Sequence, residues 1–306
     1  MNELDPRLVE DVALRLRSDP GLIEKDWHVT RAIGVLAIFD HGEAIPAFGG
    51  GTALSKSWKL IKRFSEDIDF KVALPPAASR NKGKRDRGLY RDRVLSALTD
   101  AGFTLANEPR KRDENRFFSA DLFYPGLFAP ALGLRPHIRI EMSLLAPALP
   151  PIPRPVGSLI AAVRGSPPEV TAFPCVDPVE TAADKLSALA WRVRARRRGS
   201  PNDDPTIIRH LHDLAALKAT AAASGDFVPL VYVAATADLG RGGEATAPSF
   251  LFAAMLEKLS TDPLWEREYE AFVDRVSFAL PEEQIGFSDA LTAVCGLVAL
   301  LTEGKR

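Results

Sequence analysis

The 306 residues include only two cysteines, Cys175 and Cys295, far apart and without CxxC or Cys/His spacing. That count gives no basis for a disulfide framework or a zinc knuckle, and both cysteines read as buried thiols among apolar neighbours. Aromatic residues are scarce at 8%, and no uninterrupted apolar stretch approaches the roughly 18 residues that a membrane-spanning helix needs. Bilayer insertion is therefore not expected. The opening Met1-Asn-Glu-Leu-Asp-Pro lacks the basic cluster and apolar run of a secretory signal, so a cytoplasmic location is the default expectation. Nor does one sign of charge dominate, with 39 Lys+Arg against 40 Asp+Glu. The near-zero total hides segregation. Arg80–Arg93 carries seven basic and two acidic residues, Arg192–Arg198 carries five arginines, and 244–306 carries eleven acidic against five basic. A polyanion can find a basic face on a neutral protein.

The apolar spacing predicts helices over 6–18 and 23–39, then a short strand at Ile45-Pro46-Ala47-Phe48 that breaks into Gly49-Gly50-Gly51-Thr52 and a helix over 53–60. Glu66 to Val72 alternates with period two, a strand pattern despite its acids. A helix near 89–99 and strands at 103–106, 117–124 and 137–145 complete a mixed sheet flanked by helices. Nine prolines between Pro147 and Pro178 forbid a long helix and mark a change of organisation. From Pro178 onward six segments read as helices, several opened by proline: 179–195, 205–222, 229–239, 248–259, 263–278 and 281–301. The expected fold is α+β, with a mixed-sheet domain over 1–155 and a mainly helical domain over 156–306.

Asp67 and Asp69 stand two apart on the predicted strand, so their carboxylates share one face with Cα atoms roughly 6–7 Å apart. Such a pair repels unless a cation compensates, and hard oxygen donors of this kind suit Mg2+, which takes one or two carboxylates together with substrate phosphates. A solvated strand edge is the plainer reading of the same residues. The upstream Gly50-Gly51-Thr52 favours the metal, because a glycine turn entering a helix offers backbone N–H groups to phosphate. Thr52 serves there as cap or phosphate donor, and Lys56, one turn on, is either a phosphate ligand or a solvated lysine.

Phe48 to Lys56 followed by Arg63-Phe64-Ser65-Glu66-Asp67-Ile68-Asp69-Phe70 resembles the first motif of the AbiEii/AbiGii family of nucleotidyltransferase toxins, MenT-type members included, within the DNA polymerase β-like superfamily. Ile23-Glu24-Lys25-Asp26-Trp27, Glu180 with Ala183 to Leu189, and Arg209-His210-Leu211-His212-Asp213-Leu214 are similar to later family motifs in the same order. The resemblance implies a polymerase-β-like nucleotidyltransferase domain whose active-site cleft is completed by the helical domain. It implies transfer of NMP from an NTP, with release of pyrophosphate, to the 3′ end of tRNA, which blocks translation. It implies two Mg2+ ions on Asp67, Asp69 and a third carboxylate, which is Glu141 on a neighbouring strand or its competitor Asp121. Lys185 is assigned to the triphosphate, and Asp213 is essential, orienting Lys185 or a substrate hydroxyl; the plainer reading pairs Asp213 with Arg209. Arg63 and Ser65 contact phosphate or shape the turn. A type IV arrangement is implied, with an antitoxin encoded alongside that need not bind the toxin.

Two rival readings use the same residues: transfer to a small hydroxylated molecule or a protein side chain, and a nucleotide- or RNA-binding module without turnover. The runs Arg80–Arg93 and Arg192–Arg198 are candidate RNA contacts, since phosphate neutralisation by Lys and Arg dominates such affinity and makes it salt-sensitive. His28 and His41 lack partners at metal-ligand spacing and read as ordinary, and His210, on a different helix face from Arg209 and His212, reads as a packing or hydrogen-bonded histidine.

Overall fold

Asp5 and Asp19, each followed by proline, start the first two helices, because the aspartate accepts a backbone N–H of the first turn and proline has no N–H to waste there. In the computed structural model, which describes residues 4–131, 133–201, 203–241 and 247–303, these are α1 (Pro6–Leu16) and α2 (Pro20–Ile38). The following elements are β1 (Ile45–Gly49), α3 (Gly50–Lys56), β2 (Asp67–Ala73), α4 (Arg80–Asp100), β3 (Thr104–Leu105), β4 (Arg110–Arg112), β5 (Phe117–Phe123), β6 (Ile138–Ser143), β7 (Ile152–Val156), α5 (Leu159–Arg164) and β8 (Val170–Cys175).

The strands form one mixed sheet in the order β3-β5-β6-β2-β1-β8-β7, with β4 also on β5. β2 runs antiparallel to β1 and parallel to β6. Burial alternates along β2: Ile68, Phe70 and Val72 are buried, whereas Asp67, Asp69 and Lys71 lie on the other face. β6 repeats the pattern with Ile138, Ile140 and Met142 inward. The inward face packs on Val29, Ile33 and Leu36 of α2 and on Val94 and Leu98 of α4. The opposite, polar face is where the acids stand.

The chain divides into two compact units. The first comprises Met1–Lys59 and Phe64–Asp177, the second Leu60–Arg63 and Pro178–Arg306. The boundary thus lies at Asp177/Pro178 rather than at 155/156. The proline-rich stretch is not a linker, because β7 and β8 pair with each other and β8 adds to β1. Pro153 and Pro155 sit on β7 at the end of the sheet, where a missing N–H costs no ladder bond.

The second unit is built on α6 (Pro178–Ala195), which packs against α7 (Arg209–Ala222), α8 (Phe227–Ala237) and α9 (Pro248–Thr261), with α10 (Leu264–Val276) and α11 (Phe287–Glu303) completing it. The segments expected to be helical from Pro205 and Pro281 each split into a 3₁₀ turn and an α-helix. The four residues Leu60–Arg63 join this unit through Phe278 N–H to Lys62 O at 3.0 Å and a bridge between Arg63 and Ser277. Two expectations change here. Cys175 is buried, but Cys295 is exposed on α11. By length and composition the span Pro281–Thr302 is apolar enough to cross a membrane. Its continuous helix α11 has 17 residues, about 25 Å at 1.5 Å per residue, the lower end of the roughly 17–25 residues that span a bilayer.

Candidate active site

The first unit sets three carboxylates on one sheet face. Parallel pairing puts Asp69 directly beside Glu141 and Asp67 beside Arg139. Glu141, Asp67 and Asp69 alternate with buried apolar neighbours, so all three project from the same side. Asp121 also lies on that side, but Arg139 grips it with Nε and Nη2 at 2.7 and 3.1 Å, and His137 lies 3.4 Å away. Burial pushes the Asp121 carboxyl up, yet Arg139 outweighs this and holds it below the usual range. Glu141 is thus the candidate abreast of the pair, and Asp121 the one neutralised by its neighbour.

The glycine turn shapes this face. Gly50 has φ +67°, and a Cβ there would lie 1.9 Å from Asp69 Oδ2, so the turn closes against the carboxylate at a place only glycine fits. Gly51 is buried. Thr52 is buried too, and its hydroxyl donates to the Asp67 backbone carbonyl. It ties α3 to β2 instead of capping α3, which has no side-chain cap.

Lys56 departs from its expected role as a phosphate ligand. Its ammonium is buried and donates to Asp26 Oδ1 (2.5 Å), Asp26 O (3.2 Å) and Thr30 Oγ1 (2.9 Å), which uses all three donors. Asp26 Oδ2 accepts the N–H of Leu159 at 2.7 Å. This buried pair fixes α3 against α2 and leaves no proton for a phosphate. Ser65 lies half-buried in the coil before β2.

The second unit holds a separate cluster. Asp213, fully buried on α7, accepts a two-pronged contact from Arg63, with Nε to Oδ1 and Nη2 to Oδ2 both at 2.7 Å, and Lys185 Nζ lies 2.7 Å from Oδ2. Burial alone would raise the Asp213 carboxyl, but Arg63 and then Lys185 hold it well below the usual range. Burial draws the Lys185 ammonium down from its ordinary value, with Asp213 opposing. Arg63 also stacks over Phe272, its Cζ 5.4 Å from the ring centroid. It is a buried clamp on Asp213, not an open phosphate donor. Arg209 bonds Thr206 at 2.9 Å, so the pairing of Asp213 with Arg209 is replaced by Arg63 and Lys185. His210 is buried and held well below its ordinary pKa, first by burial and then by Lys185.

Sequence reasoning missed Arg135 and quoted Lys25 and Glu66 only within motifs, without a role; the three gather beside Asp67. Lys25 donates to Glu66, and Arg135 Nη2 donates to Asp67 Oδ1 at 2.5 Å. Arg135 comes from a coil without periodicity, so only the tertiary fold reveals it. Among the described residues no three His, Cys, Asp or Glu side chains converge into a ready-made metal cage. The donor chemistry nonetheless fits Mg2+, which needs only one or two carboxylates when substrate phosphates supply the rest.

The two basic runs differ. In α4, Arg80, Lys82, Lys84 and Arg85 are exposed, with Arg80 paired to Glu114 and Lys82 to Asp86 at 2.8 Å, and the exposed Arg110-Lys111-Arg112 of β4 adds to the same unit's basic surface. In the second run Arg196 forks to Glu268 at 2.5 and 2.9 Å and reaches Asp203 at 2.7 Å, while Arg198 pairs with Glu268 and Asp262. Both guanidiniums stack over Trp265, at 4.8 and 4.5 Å. The acidic C-terminal stretch thus neutralises part of this run.

No curated protein matches the chain significantly. The nucleotidyltransferase toxin MenT4 from Mycobacterium tuberculosis H37Rv has a similar solved structure: TM-score 0.53 and 19% identity, covering 98% of this chain and 99% of that one. At that identity the likeness speaks for the fold. A profile described as nucleotidyl transferase AbiEii toxin, type IV toxin–antitoxin system, matches residues 35–293, which span the sheet, both carboxylate strands and α6 to α10. The chain therefore belongs to the AbiEii nucleotidyltransferase toxin family of type IV toxin–antitoxin systems and is an NTP-dependent nucleotidyltransferase.

Proposed function

We propose that the enzyme transfers NMP from an NTP to the 3′ end of tRNA and so blocks translation in the cytoplasm. The carrying observation is the alignment of Asp67 and Asp69 on one strand face with Glu141 in register on the neighbouring parallel strand. The terminal ribose hydroxyl attacks the α-phosphorus, the new P–O bond forms as the α–β bridging bond breaks, and pyrophosphate leaves. Asp67, Asp69 and Glu141 are the residues that would hold Mg2+, which supplies charge neutralisation at the phosphates and a more acidic attacking hydroxyl. In this reading Glu141 accepts that hydroxyl proton. Gly50 and Gly51 allow close approach of the backbone to the nucleotide.

Lys84 and Arg85 of α4 with Lys111 and Arg112 of β4, all exposed, suit the tRNA backbone better than Arg196 and Arg198, which Glu268, Asp203 and Asp262 hold. An antitoxin encoded alongside, which need not touch the toxin, completes the type IV arrangement.

The test is transfer from each of four labelled NTPs to a tRNA pool, with sequencing of the 3′ ends. Labelled tRNA that is lost in Asp67→Asn, with the melting curve retained, is expected. Label transferred when RNA is omitted would move the acceptor to a protein side chain or a small molecule. An Asp67→Asn variant that remains fully toxic would refute catalysis.

A further inference from the structure

The coil between β5 and β6 delivers a cation to the strand that carries the aspartates. Glu24 near the start of α2 holds this coil by accepting the N–H groups of Leu127 (2.5 Å) and Phe128 (3.0 Å). Further along, Arg135 is fixed through its backbone: its N–H donates to Glu66 Oε2 at 3.2 Å, and its carbonyl accepts from Lys25 Nζ at 2.6 Å. The guanidinium does the rest, with Nε to Glu66 Oε1 at 2.9 Å and Nη2 to Asp67 Oδ1 at 2.5 Å. Lys25, Glu66, Arg135 and Asp67 form a closed knot of two positive and two negative charges.

The members of the knot differ in freedom. Lys25 is buried to 1% side-chain exposure, whereas Arg135 keeps 28%. Three of the bonds that hold Arg135 go to Glu66 or Lys25, and only one reaches Asp67. Losing that single contact leaves the arginine anchored. A doubly charged ion at Asp67 repels the neighbouring guanidinium and takes the same lone pairs, so the two compete for one carboxylate.

On the assignment of Asp67 as a cation ligand made above, we propose that Arg135 is a positioning residue that guards Asp67. It holds the carboxylate until a divalent cation displaces it, and then, still anchored on Glu66, turns its freed N–H donors to a phosphate of the incoming nucleotide. Arginine suits this double duty because its planar fork serves two acceptors at once, which a lysine cannot do.

Cation and nucleotide affinities then move in opposite directions when Arg135 is removed. With free Mn2+ counted by electron paramagnetic resonance in the absence of nucleotide, Arg135→Gln binds Mn2+ roughly fivefold tighter, the size set by loss of a partly exposed ion pair. In steady state the same variant shows a KM for NTP raised about tenfold, with kcat within about twofold. A merely structural arginine would weaken both affinities. Mn2+ binding that is unchanged or weaker in Arg135→Gln overturns the guard. Asp67→Asn separates the two levels. If it binds Mn2+ as the wild type does, the cation-site assignment falls and the guard with it; if it loses Mn2+ while Arg135→Gln shows no gain, only the guard falls. Should Arg135→Gln melt below the assay temperature, Arg135→Lys retains the charge without the fork, and a gain of about twofold in Mn2+ affinity is the supporting result.

Discussion

Replacing Asp213 by asparagine keeps the shape of the side chain and removes its charge from between two buried cations. Arg63 and Lys185 retain 4% and 9% side-chain exposure, and Asp213 itself has none. The variant leaves both cations without an anion and turns an amide NH2 toward existing donors, and breaking such a buried pair costs about 3–5 kcal/mol. At roughly 2–4 °C per kcal/mol, the transition of the second unit should fall by about 6–20 °C. The pH dependence gives a sharper signature. In the wild type Asp213 is held below its ordinary pKa, so its contribution is complete above the unfolded value of about 3.9 and is lost as pH falls through the folded value. In Asp213→Asn that contribution is gone and Lys185, buried without its anion, titrates further below its unfolded value. The unfolded chain then binds more protons, so stability rises with pH toward about 10.4, more steeply than in the wild type. Calorimetric melts across neutral to alkaline pH read both effects. A variant melting within about 2 °C of wild type, or losing stability as pH rises, would refute the buried-clamp reading.

Gly50→Ala places a methyl 1.9 Å from Asp69 Oδ2 in a left-handed conformation, so it should cost about 1–3 kcal/mol and sharply reduce nucleotide transfer. Gly199→Ala, at φ +75° with nothing within 4 Å of its new Cβ, serves as the control that keeps activity. Glu268→Gln loosens Arg196 and Arg198 from their acidic partners; filter binding should then show tighter, more salt-dependent association with RNA, and an unchanged salt slope would mean that this run never meets the polymer.

Much of the carboxylate strand was legible because alternation alone puts Asp67 and Asp69 on one face, and the fold realises that spacing as β2. The helices of the second unit were legible through apolar periodicity and proline starts. The first half of α4 was not, since its charges and its glycines conceal any apolar stripe. Those glycines lie where neighbours come close: a Cβ at Gly83 would stand 3.2 Å from Ala77 Cβ, and one at Gly88 would stand 3.3 Å from Asn115 Nδ2. β7 escaped because prolines disqualify an interior strand but not one at the sheet's end. Lys56 misled for a different reason. Spacing says which turn a lysine occupies, not whether an aspartate thirty residues earlier has already claimed its ammonium. Arg135 carried no local signal at all.

The four residues Leu60–Arg63 bear on heredity as well as folding. Because Arg63 precedes β2 in the gene yet completes the ion cluster on α7, a recombination breakpoint at Asp177/Pro178 would draw the aspartate and its main counter-charge from different parents. The cluster survives such an exchange only where both parents encode matching charges at the two positions.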